Sequence, residues 1–367
     1  MLRLIHIMRS KANNYYICFI VVLFFIFAVF NRYNPPNLFK YKESNSRFIE
    51  WAKTTVEVNT TSNTNGSLLY CPSESPNLVG QINISFDVLS FKEIHQKYSS
   101  LEIGGRNRPA ECQSEQKVAI IVPYRDRDTH LAIFLNNMHE LLQKQQLDYG
   151  IYIVEQASFI ANQTFNRAKL MNVEFVESLK FYKYDCFIFH DVDLLPENDN
   201  VIYSCHSEPK HLSAYVSSLN YKLLYLQLFG GACALKIEQV KEVNGLFEQF
   251  LGLVEARTTI KDLESLKQFK LSARLHYEGR RITRYSKEVA RYTMLKHGDN
   301  KSNPANRCRH KLLNYTRVFY KEDGLSNLEY KLHEISQTPT HTRIVADLLE
   351  RQSRRKLRAK HIKLRFC

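Results

Sequence analysis

The sequence predicts an α/β domain with a mostly parallel sheet, because short apolar runs alternate with segments whose apolar residues recur at helical spacing. Apolar runs at 117–123 (KVAIIVP), 149–154 and 186–190 are typical of buried strands. A helix is predicted after the first run, and a second at 165–179. The residues that mark the first helix are Leu131, Phe134, Leu135, Met138, Leu141 and Leu142.

The chain is large enough to bury a full core, with 367 residues of which 44% are hydrophobic. Much of its net charge of +14 lies in the segment 351–365. No nucleic-acid-binding motif accompanies this charge, so we do not expect a nucleic-acid partner. We predict a solvated basic tail at 350–367; attraction to an acidic surface or a retention signal are the alternatives.

The N-terminal segment has the pattern of a membrane anchor. Residues 15–30 (YYICFIVVLFFIFAVF) are almost wholly apolar and follow Arg3, Arg9 and Lys11. Positive charge before the span favours a cytoplasmic N-terminus, and no small-residue cleavage pattern follows it. We therefore predict a type II protein with a cytoplasmic tail at 1–14, an uncleaved signal anchor at 15–30 and a polar stem at 31–70.

Two further features favour a lumenal location for the rest of the chain. N-glycosylation acceptor patterns begin at Asn59, Asn65, Asn83, Asn162 and Asn314. The cysteines form no CxxC pair at zinc-binding spacing, and four of them lie near segment boundaries: Cys71, Cys112, Cys186 and Cys205. Disulfides are therefore favoured over metal ligation by these cysteines.

Polar residues that directly follow the predicted strands are candidates for chemistry, because ligands of parallel sheets bind beyond the carboxyl ends of the strands. Asp191 and Asp193 follow the third strand, and such carboxylates can hold a divalent ion against a diphosphate. The alternative is a simple strand-to-turn transition. Arg125 and Arg127 follow the first strand and could contact phosphates or a uracil edge; the alternative is surface pairing with neighbouring acids, Asp126 or Asp128.

Met294 and His297 are three residues apart in the segment YTMLKH. An imidazole beside a thioether is an uncommon pair of metal ligands. Ordinary packing in the core or at the surface is the alternative reading of these two side chains.

Blocks along the chain resemble the β-1,4-galactosyltransferases in identity, order and spacing. The resemblance covers about 71–349. The blocks are Cys71-Pro72, Glu74-Ser75-Pro76, Leu78-Val79-Gly80, VAIIVPYRDR (118–127), VEQ (154–156), FNRAKLMNV (165–173), FHDVDLLP (189–196), FGGACAL (229–235), YTMLKH (292–297) and DGLSNLEY (323–330).

This resemblance implies a GT-A catalytic domain at 71–349, with a Rossmann-like mixed sheet flanked by helices. It also implies a Golgi enzyme that transfers a sugar, with inversion, from a UDP-sugar to the 4-hydroxyl of a terminal GlcNAc. It implies that Asp193, Met294 and His297 ligate Mn²⁺. The residues that it implies for nucleotide-sugar binding are Pro123, Tyr124, Arg125, Arg127, Phe165, Arg167 and Asp191. It also implies that Cys71 pairs with Cys112, and Cys186 with Cys205.

One position bears on the sugar donor. Galactose-using members carry Tyr before Phe-Gly-Gly, whereas this chain carries Leu228. An aliphatic residue resembles the invertebrate members that transfer GalNAc, because a smaller side chain makes room for the N-acetyl group. We therefore favour UDP-GalNAc over UDP-Gal; the alternative is that Leu228 only packs in the core.

The chain departs from the family after Asn244-Gly245. Where the family carries Trp-Gly-Trp-Gly-Gly-Glu-Asp-Asp-Asp, this chain carries Leu-Gly-Leu-Val-Glu-Ala-Arg-Thr-Thr, with Arg257 at the position of the carboxylate base. An inverting transfer needs a base, and a guanidinium cannot serve as one. Back-translation in the other reading frames permits Phe-Ser-Asn-Asn-Phe-Trp-Gly-Trp and then Gly-Gly-Glu-Asp-Asp-Asp. We interpret 246–266 as a frameshift artefact; an inactive, lectin-like binder of UDP-sugars is the alternative.

Overall fold

The computed structural model describes residues 39–40, 68–157, 165–246, 269–296 and 320–360. The chain divides into two compact units, Met1–Phe39 and Lys40–Cys367. The predicted signal anchor, His297, Arg257 and nearly all of 246–266 lie outside the described residues. Across the described ranges, no helix is both long and apolar enough to cross a membrane. A two-residue strand, β1 (Phe39–Lys40), falls within the predicted stem.

The main sheet of the second unit is built around three parallel strands that the apolar runs predicted. It runs in the order β12-β13-β4-β3-β5-β9-β7-β10, and β2 also pairs with β4. The strands are β2 (Arg106–Asn107), β3 (Lys117–Tyr124), β4 (Asp148–Gln156), β5 (Cys186–His190), β7 (Lys210–His211), β9 (Ala232–Lys236), β10 (Thr283–Arg284), β12 (Glu329–Gln337) and β13 (Thr342–Asp347). β3, β4, β5 and β13 are parallel, whereas β9 and β12 pair antiparallel with their neighbours, so the sheet is mixed.

Helices cover both faces of this sheet. They are α1 (Phe91–Lys97), α2 (Asp128–Lys144), α3 (Arg167–Ser178), α4 (Ile237–Glu242), α5 (Phe269–Tyr277) and α6 (Glu350–Lys360). Side chains of a strand alternate between faces, and in β3 Ile120 packs in one core with α2 while Ile121 packs in the other with α3. The first two predicted helices are therefore confirmed as α2 and α3. The predicted basic tail begins with α6, whose Lys356 pairs with Glu329.

A smaller sheet extends the carboxyl end of β5. It consists of β6 (Leu194–Pro196), β11 (Arg291–Met294) and β8 (Tyr215–Val216), in the order β6-β11-β8. β11 runs antiparallel to β6, with Met294 opposite Leu194. The turn between β5 and β6 holds both aspartates of the FHDVDLLP block, so the small sheet fixes their position.

Two disulfides are present, with the pairing that the resemblance implied. Cys71 bonds Cys112, and Cys186 bonds Cys205, which lies 19 residues further along. The second bond links the first residue of β5 to the segment beyond β6. It therefore closes a loop that contains the aspartate turn.

Candidate functional site

The two aspartates occupy a turn that main-chain hydrogen bonds hold against the FGG segment. The amide of Asp191 donates to the carbonyl of Gly231 over 2.9 Å, and the amide of Leu194 donates to the carbonyl of Asp191 over 3.3 Å. The Asp193 side chain is 10% exposed and the Asp191 side chain 28%. Asp193 is thus the more deeply placed of the two carboxylates.

Each aspartate forms an ion pair with an arginine from a different element. Arg127 Nη1 lies 3.2 Å from Asp193 Oδ2, and Arg167 Nε lies 2.6 Å from Asp191 Oδ1. The sequence left open a local pairing of Arg127 with Asp128, but the structure pairs it with Asp193, which lies 66 residues further along the chain. The loop after β3, the start of α3 and the end of β5 therefore meet at one point.

Tyr124 fixes the loop that carries Arg127. Its hydroxyl donates to Asp128 Oδ1 over 2.5 Å and accepts from the amide of Arg127 over 3.0 Å. Burial and the Asp128 carboxylate raise the pKa of Tyr124, so the phenol keeps its proton. The preceding residue, Pro123, is buried in β3 opposite Val154. This arrangement holds the first turn of α2 against the end of β3.

Arg125, in the loop after β3, and Phe165, just before α3, form a cation–π pair. The Arg125 guanidinium carbon lies 5.0 Å from the centroid of the Phe165 ring. Burial lowers the pKa of Arg125, and the neighbouring Asp126 opposes that effect. A planar cation on an aromatic ring is a surface on which a base can stack or to which an anion can bind.

Met294 is brought next to Asp193 by the pairing of β6 and β11. Besides the Met294–Leu194 pair, the amide of Leu295 donates to the carbonyl of Asp193 over 2.8 Å. The thioether accepts a hydrogen bond from the Ser218 hydroxyl, with 3.0 Å between Oγ and Sδ. The third predicted ligand, His297, follows directly after the described residue Lys296, whose carbonyl lies 3.2 Å from His130 Nε2.

The donor atoms present fit part of a divalent-cation site. Asp193 supplies a carboxylate from the turn that leads into β6, and Met294 supplies a thioether from β11, which pairs with β6. Within the described ranges, no group of three or more His, Cys, Asp and Glu side chains could hold a metal ion. The described part of the site therefore has one acid, Asp193, and one thioether, Met294. Asp191 lies in the same turn as Asp193.

Leu228 is buried at the start of the FGG segment, with 7% of its surface exposed. Its carbonyl accepts from Arg284 Nη2 over 2.7 Å. Two residues after it lies Gly230, and Gly231 then has φ +74°; a Cβ on Gly231 would lie 2.4 Å from Ser213 Oγ and 2.8 Å from Leu194 Cδ1. Only glycine allows this close approach, so the FGG segment packs tightly against β6, the strand that follows Asp193.

Glu197, which no sequence motif singled out, joins three parts of the site. Its Oε1 accepts from Tyr221 over 2.7 Å and from Thr293 over 2.9 Å, and its Oε2 accepts from Arg291 Nε over 3.0 Å. Burial alone would raise its pKa, but hydrogen bonds from these three side chains hold the pKa of Glu197 below its usual range. The only available signal was its place directly after the LLP of β6.

The segments that flank the divergent region are held together by Arg274. This side chain, in α5, is fully buried and donates through Nη1 to the carbonyls of Val243 (3.1 Å) and Gly245 (2.8 Å). Its Nη2 donates to the carbonyl of Asp323 over 2.7 Å. The described residues before and after the divergent segment therefore form one packed unit.

Comparisons with known proteins identify relatives of this chain. Residues 71–206 match the family model described as the N-terminal region of glycosyl transferase group 7. The chain is 41% identical to β-1,4-galactosyltransferase 4 of Cricetulus griseus over 278 residues, which are 76% of each chain. It is 38% identical to β-1,4-galactosyltransferase 1 of Bos taurus over 288 residues, which are 78% of this chain and 68% of that one.

A solved structure shares the fold. It is a mutant of Drosophila β-1,4-galactosyltransferase 7 in complex with manganese, UDP-Gal and xylobiose, and the similarity has a TM-score of 0.50 with 26% identity, over 64% of this chain and 94% of that chain. The mixed sheet with helices on both faces is that of a glycosyltransferase with the GT-A fold. More specifically, the chain belongs to the β-1,4-galactosyltransferase family.

Proposed function

We propose that this protein is a Mn²⁺-dependent, inverting transferase that moves GalNAc, or Gal, from a UDP-sugar to the 4-hydroxyl of a terminal GlcNAc on a glycoprotein or glycolipid. The observation that carries the proposal is that β11, which carries Met294, pairs with β6, and that the next residue, Leu295, donates a main-chain hydrogen bond to Asp193 in the turn after β5. Family membership supports the reaction class, and the structural relative bound to manganese and UDP-Gal supports the type of donor.

In this proposal a divalent ion, when bound, neutralises the diphosphate of the leaving UDP. Asp193, Met294 and His297 hold that ion. We assign phosphate binding to Arg127, which is paired with Asp193, and to Arg167, which is paired with Asp191, because guanidinium groups bind phosphate oxygens well. The Arg125–Phe165 pair accommodates the uracil ring.

Leu228 underlies the preference for GalNAc. Leu228 is buried, and its position before Phe-Gly-Gly in the sequence is the one at which galactose-using members carry Tyr. An N-acetyl group is larger than a hydroxyl, and a shorter wall leaves space for it. We therefore propose UDP-GalNAc as the preferred donor and UDP-Gal as the weaker one.

We also place the enzyme in the Golgi membrane as a single-span type II protein with its catalytic domain in the lumen. The apolar segment at 15–30 supplies the anchor. The two disulfides fit an oxidising lumen. The acceptor residue Asn83 is exposed, as glycosylation requires.

The segment at 246–266 decides whether the chain is active. Sequencing the transcript across it is expected to reveal the Trp-Gly-Trp-Gly-Gly-Glu-Asp-Asp-Asp motif in a corrected frame. The alternative is that sequencing verifies Leu-Gly-Leu-Val-Glu-Ala-Arg and that the chain binds UDP and Mn²⁺ without turnover. That result would establish an inactive binder of UDP-sugars, which is the reading that Arg257 at the base position favours.

The assay that tests the proposal uses UDP-GalNAc and UDP-Gal with a GlcNAc acceptor, with and without Mn²⁺. It is performed on the 367-residue chain and on a version with the corrected frame. Transfer by the corrected version that requires Mn²⁺ is the expected result. Absence of both transfer and UDP binding would overturn the proposal, and faster transfer from UDP-Gal would overturn the donor preference.

A further inference from the structure

His190, the last residue of β5, is the starting point of a buried hydrogen-bond network beside the aspartate turn. Its Nδ1 lies 2.8 Å from the carbonyl oxygen of Asp191. Because a carbonyl can only accept, Nδ1 carries the proton, and in a neutral imidazole Nε2 is then an acceptor. Nε2 lies 2.9 Å from the Tyr203 hydroxyl, which therefore donates to it.

The network continues from Tyr203 to β11. Because the Tyr203 hydroxyl donates its hydrogen bond to His190, its oxygen accepts from the Tyr292 hydroxyl, 3.0 Å away. The donors thus run in one direction, from Tyr292 to Tyr203 to His190 to the carbonyl of Asp191. All three side chains are fully buried, where an unmade hydrogen bond is costly.

This network joins the end of β5, which leads into the turn that holds Asp193, to β11, which carries Met294. Alternate residues of a strand project to the same face, so Tyr292 and Met294 share a face of β11. At the other end, the Asp191 carbonyl that accepts from His190 also accepts from the amide of Leu194, which closes the turn around Asp193. Tyr203 is anchored in turn, because its amide donates to Gln145 Oε1 over 3.0 Å.

We propose that His190, Tyr203 and Tyr292 are positioning residues that set the separation between the Asp193 carboxylate and the Met294 thioether. None of them touches the substrate or the ion. They act by tying the end of β5 to β11 through a path independent of the β6–β11 pairing. The inference rests on the proposed function, since it requires that Asp193 and Met294 share a divalent cation.

The test is Tyr203→Phe in the 367-residue chain. This change removes the central hydroxyl and leaves the ring volume almost unaltered. We expect Mn²⁺ affinity, measured by titration with electron paramagnetic resonance, to fall about tenfold to a hundredfold, as is usual when a group that orients a metal ligand is lost. Tyr292→Phe removes only the terminal donor and should produce a smaller loss in the same direction.

A matched control separates positioning from general loss of stability. Tyr98→Phe also removes a buried hydroxyl, which donates to the carbonyl of Asn136 over 2.6 Å, but that hydroxyl is not connected to the aspartate turn. It should lower Tm by a similar amount and leave Mn²⁺ affinity at the wild-type value.

Wild-type Mn²⁺ affinity in a folded Tyr203→Phe protein would overturn the inference. If Tyr203→Phe does not fold, the decision passes to Tyr292→Phe, and unchanged affinity there would overturn it equally. A wild-type chain that binds neither Mn²⁺ nor UDP would instead refute the proposed function, so the two failures are distinguishable.

Discussion

Arg127 Nη1 lies 3.2 Å from Asp193 Oδ2, and both side chains are largely shielded from water. This ion pair joins the loop after β3 to the turn after β5. Local sequence offered Arg127 two nearer acids, Asp126 and Asp128. In the tertiary structure Arg127 pairs with a third acid, Asp193, because Asp128 accepts a hydrogen bond from Tyr124 and the loop directs Arg127 toward the end of β5.

Asp193→Asn is expected to abolish measurable Mn²⁺ binding, because an amide retains the shape of the carboxylate but not its charge. Calorimetric titration of Mn²⁺ into the variant measures this directly. The control is Asp87→Asn, which changes an exposed carboxylate that only accepts from Ser85. Retention of wild-type Mn²⁺ affinity by Asp193→Asn would contradict the proposed ligand set.

Leu228→Tyr is expected to reverse the donor preference, because the ring restores the wall that crowds an N-acetyl group. We expect the ratio of affinities for UDP-GalNAc and UDP-Gal to change by about tenfold or more toward UDP-Gal. Equilibrium binding of the two sugar nucleotides in the presence of Mn²⁺ measures the ratio without requiring turnover. Leu226→Tyr is the control, since Leu226 is 75% exposed and should leave the ratio unchanged. An unaltered ratio in Leu228→Tyr would mean that Leu228 only packs.

Glu174→Gln is expected to stabilise the fold at neutral pH. Glu174, in α3, is fully buried and accepts from the amide of Val122 over 3.1 Å, just beyond Ile121, where the pairing of β3 with β5 stops. Burial raises the pKa of this carboxyl well above its ordinary value of 4.5. The folded protein therefore keeps a proton that the unfolded chain releases, so stability falls as pH rises above the unfolded pKa until the folded pKa is reached.

The gain from Glu174→Gln should be near zero around pH 4 and should grow with pH, by at most about 1.4 kcal/mol per pH unit. Urea unfolding of both proteins at a series of pH values measures it. Glu115→Gln, which changes an exposed carboxyl, is the control variant. A constant difference for Glu174→Gln would show that Glu174 ionises alike in both states.

Arg274→Met is expected to lower the free energy of unfolding by about 3–5 kcal/mol, the usual cost of breaking a buried charge pair. The change removes the donor for the carbonyls of Val243 and Gly245 and the cation that lies 3.5 Å from the Asp323 carboxylate. Chemical denaturation measures the loss. Arg280→Met is the comparison, since its pair with Glu242 is partly exposed and should contribute about 1 kcal/mol or less. Equal losses in the two variants would show that the buried cluster adds nothing beyond a surface pair.

Much of the fold could be predicted from local pattern, because burial leaves a direct record in the sequence. The run KVAIIVP predicted β3, and all of 118–122 is fully buried. The helical spacing from Leu131 to Leu142 predicted α2. The antiparallel direction of β9 and β12 could not be predicted from local pattern, since a short apolar run does not specify the direction of the neighbouring strand.

The sequence by itself determined which residues could serve chemistry, namely the aspartates after β5, the arginines after β3 and Met294 in its YTMLKH segment, because residue type and position after a strand are local properties. Only the tertiary structure decided which of them meet. The contacts that decide this join residues far apart in the chain. They are the pairing of Met294 with Leu194, the ion pair of Arg127 with Asp193, and the hydrogen bonds of Glu197 and Tyr203. Contacts between residues so far apart in the chain depend on how the strands pair and how the whole domain packs. A short stretch of sequence does not contain that information.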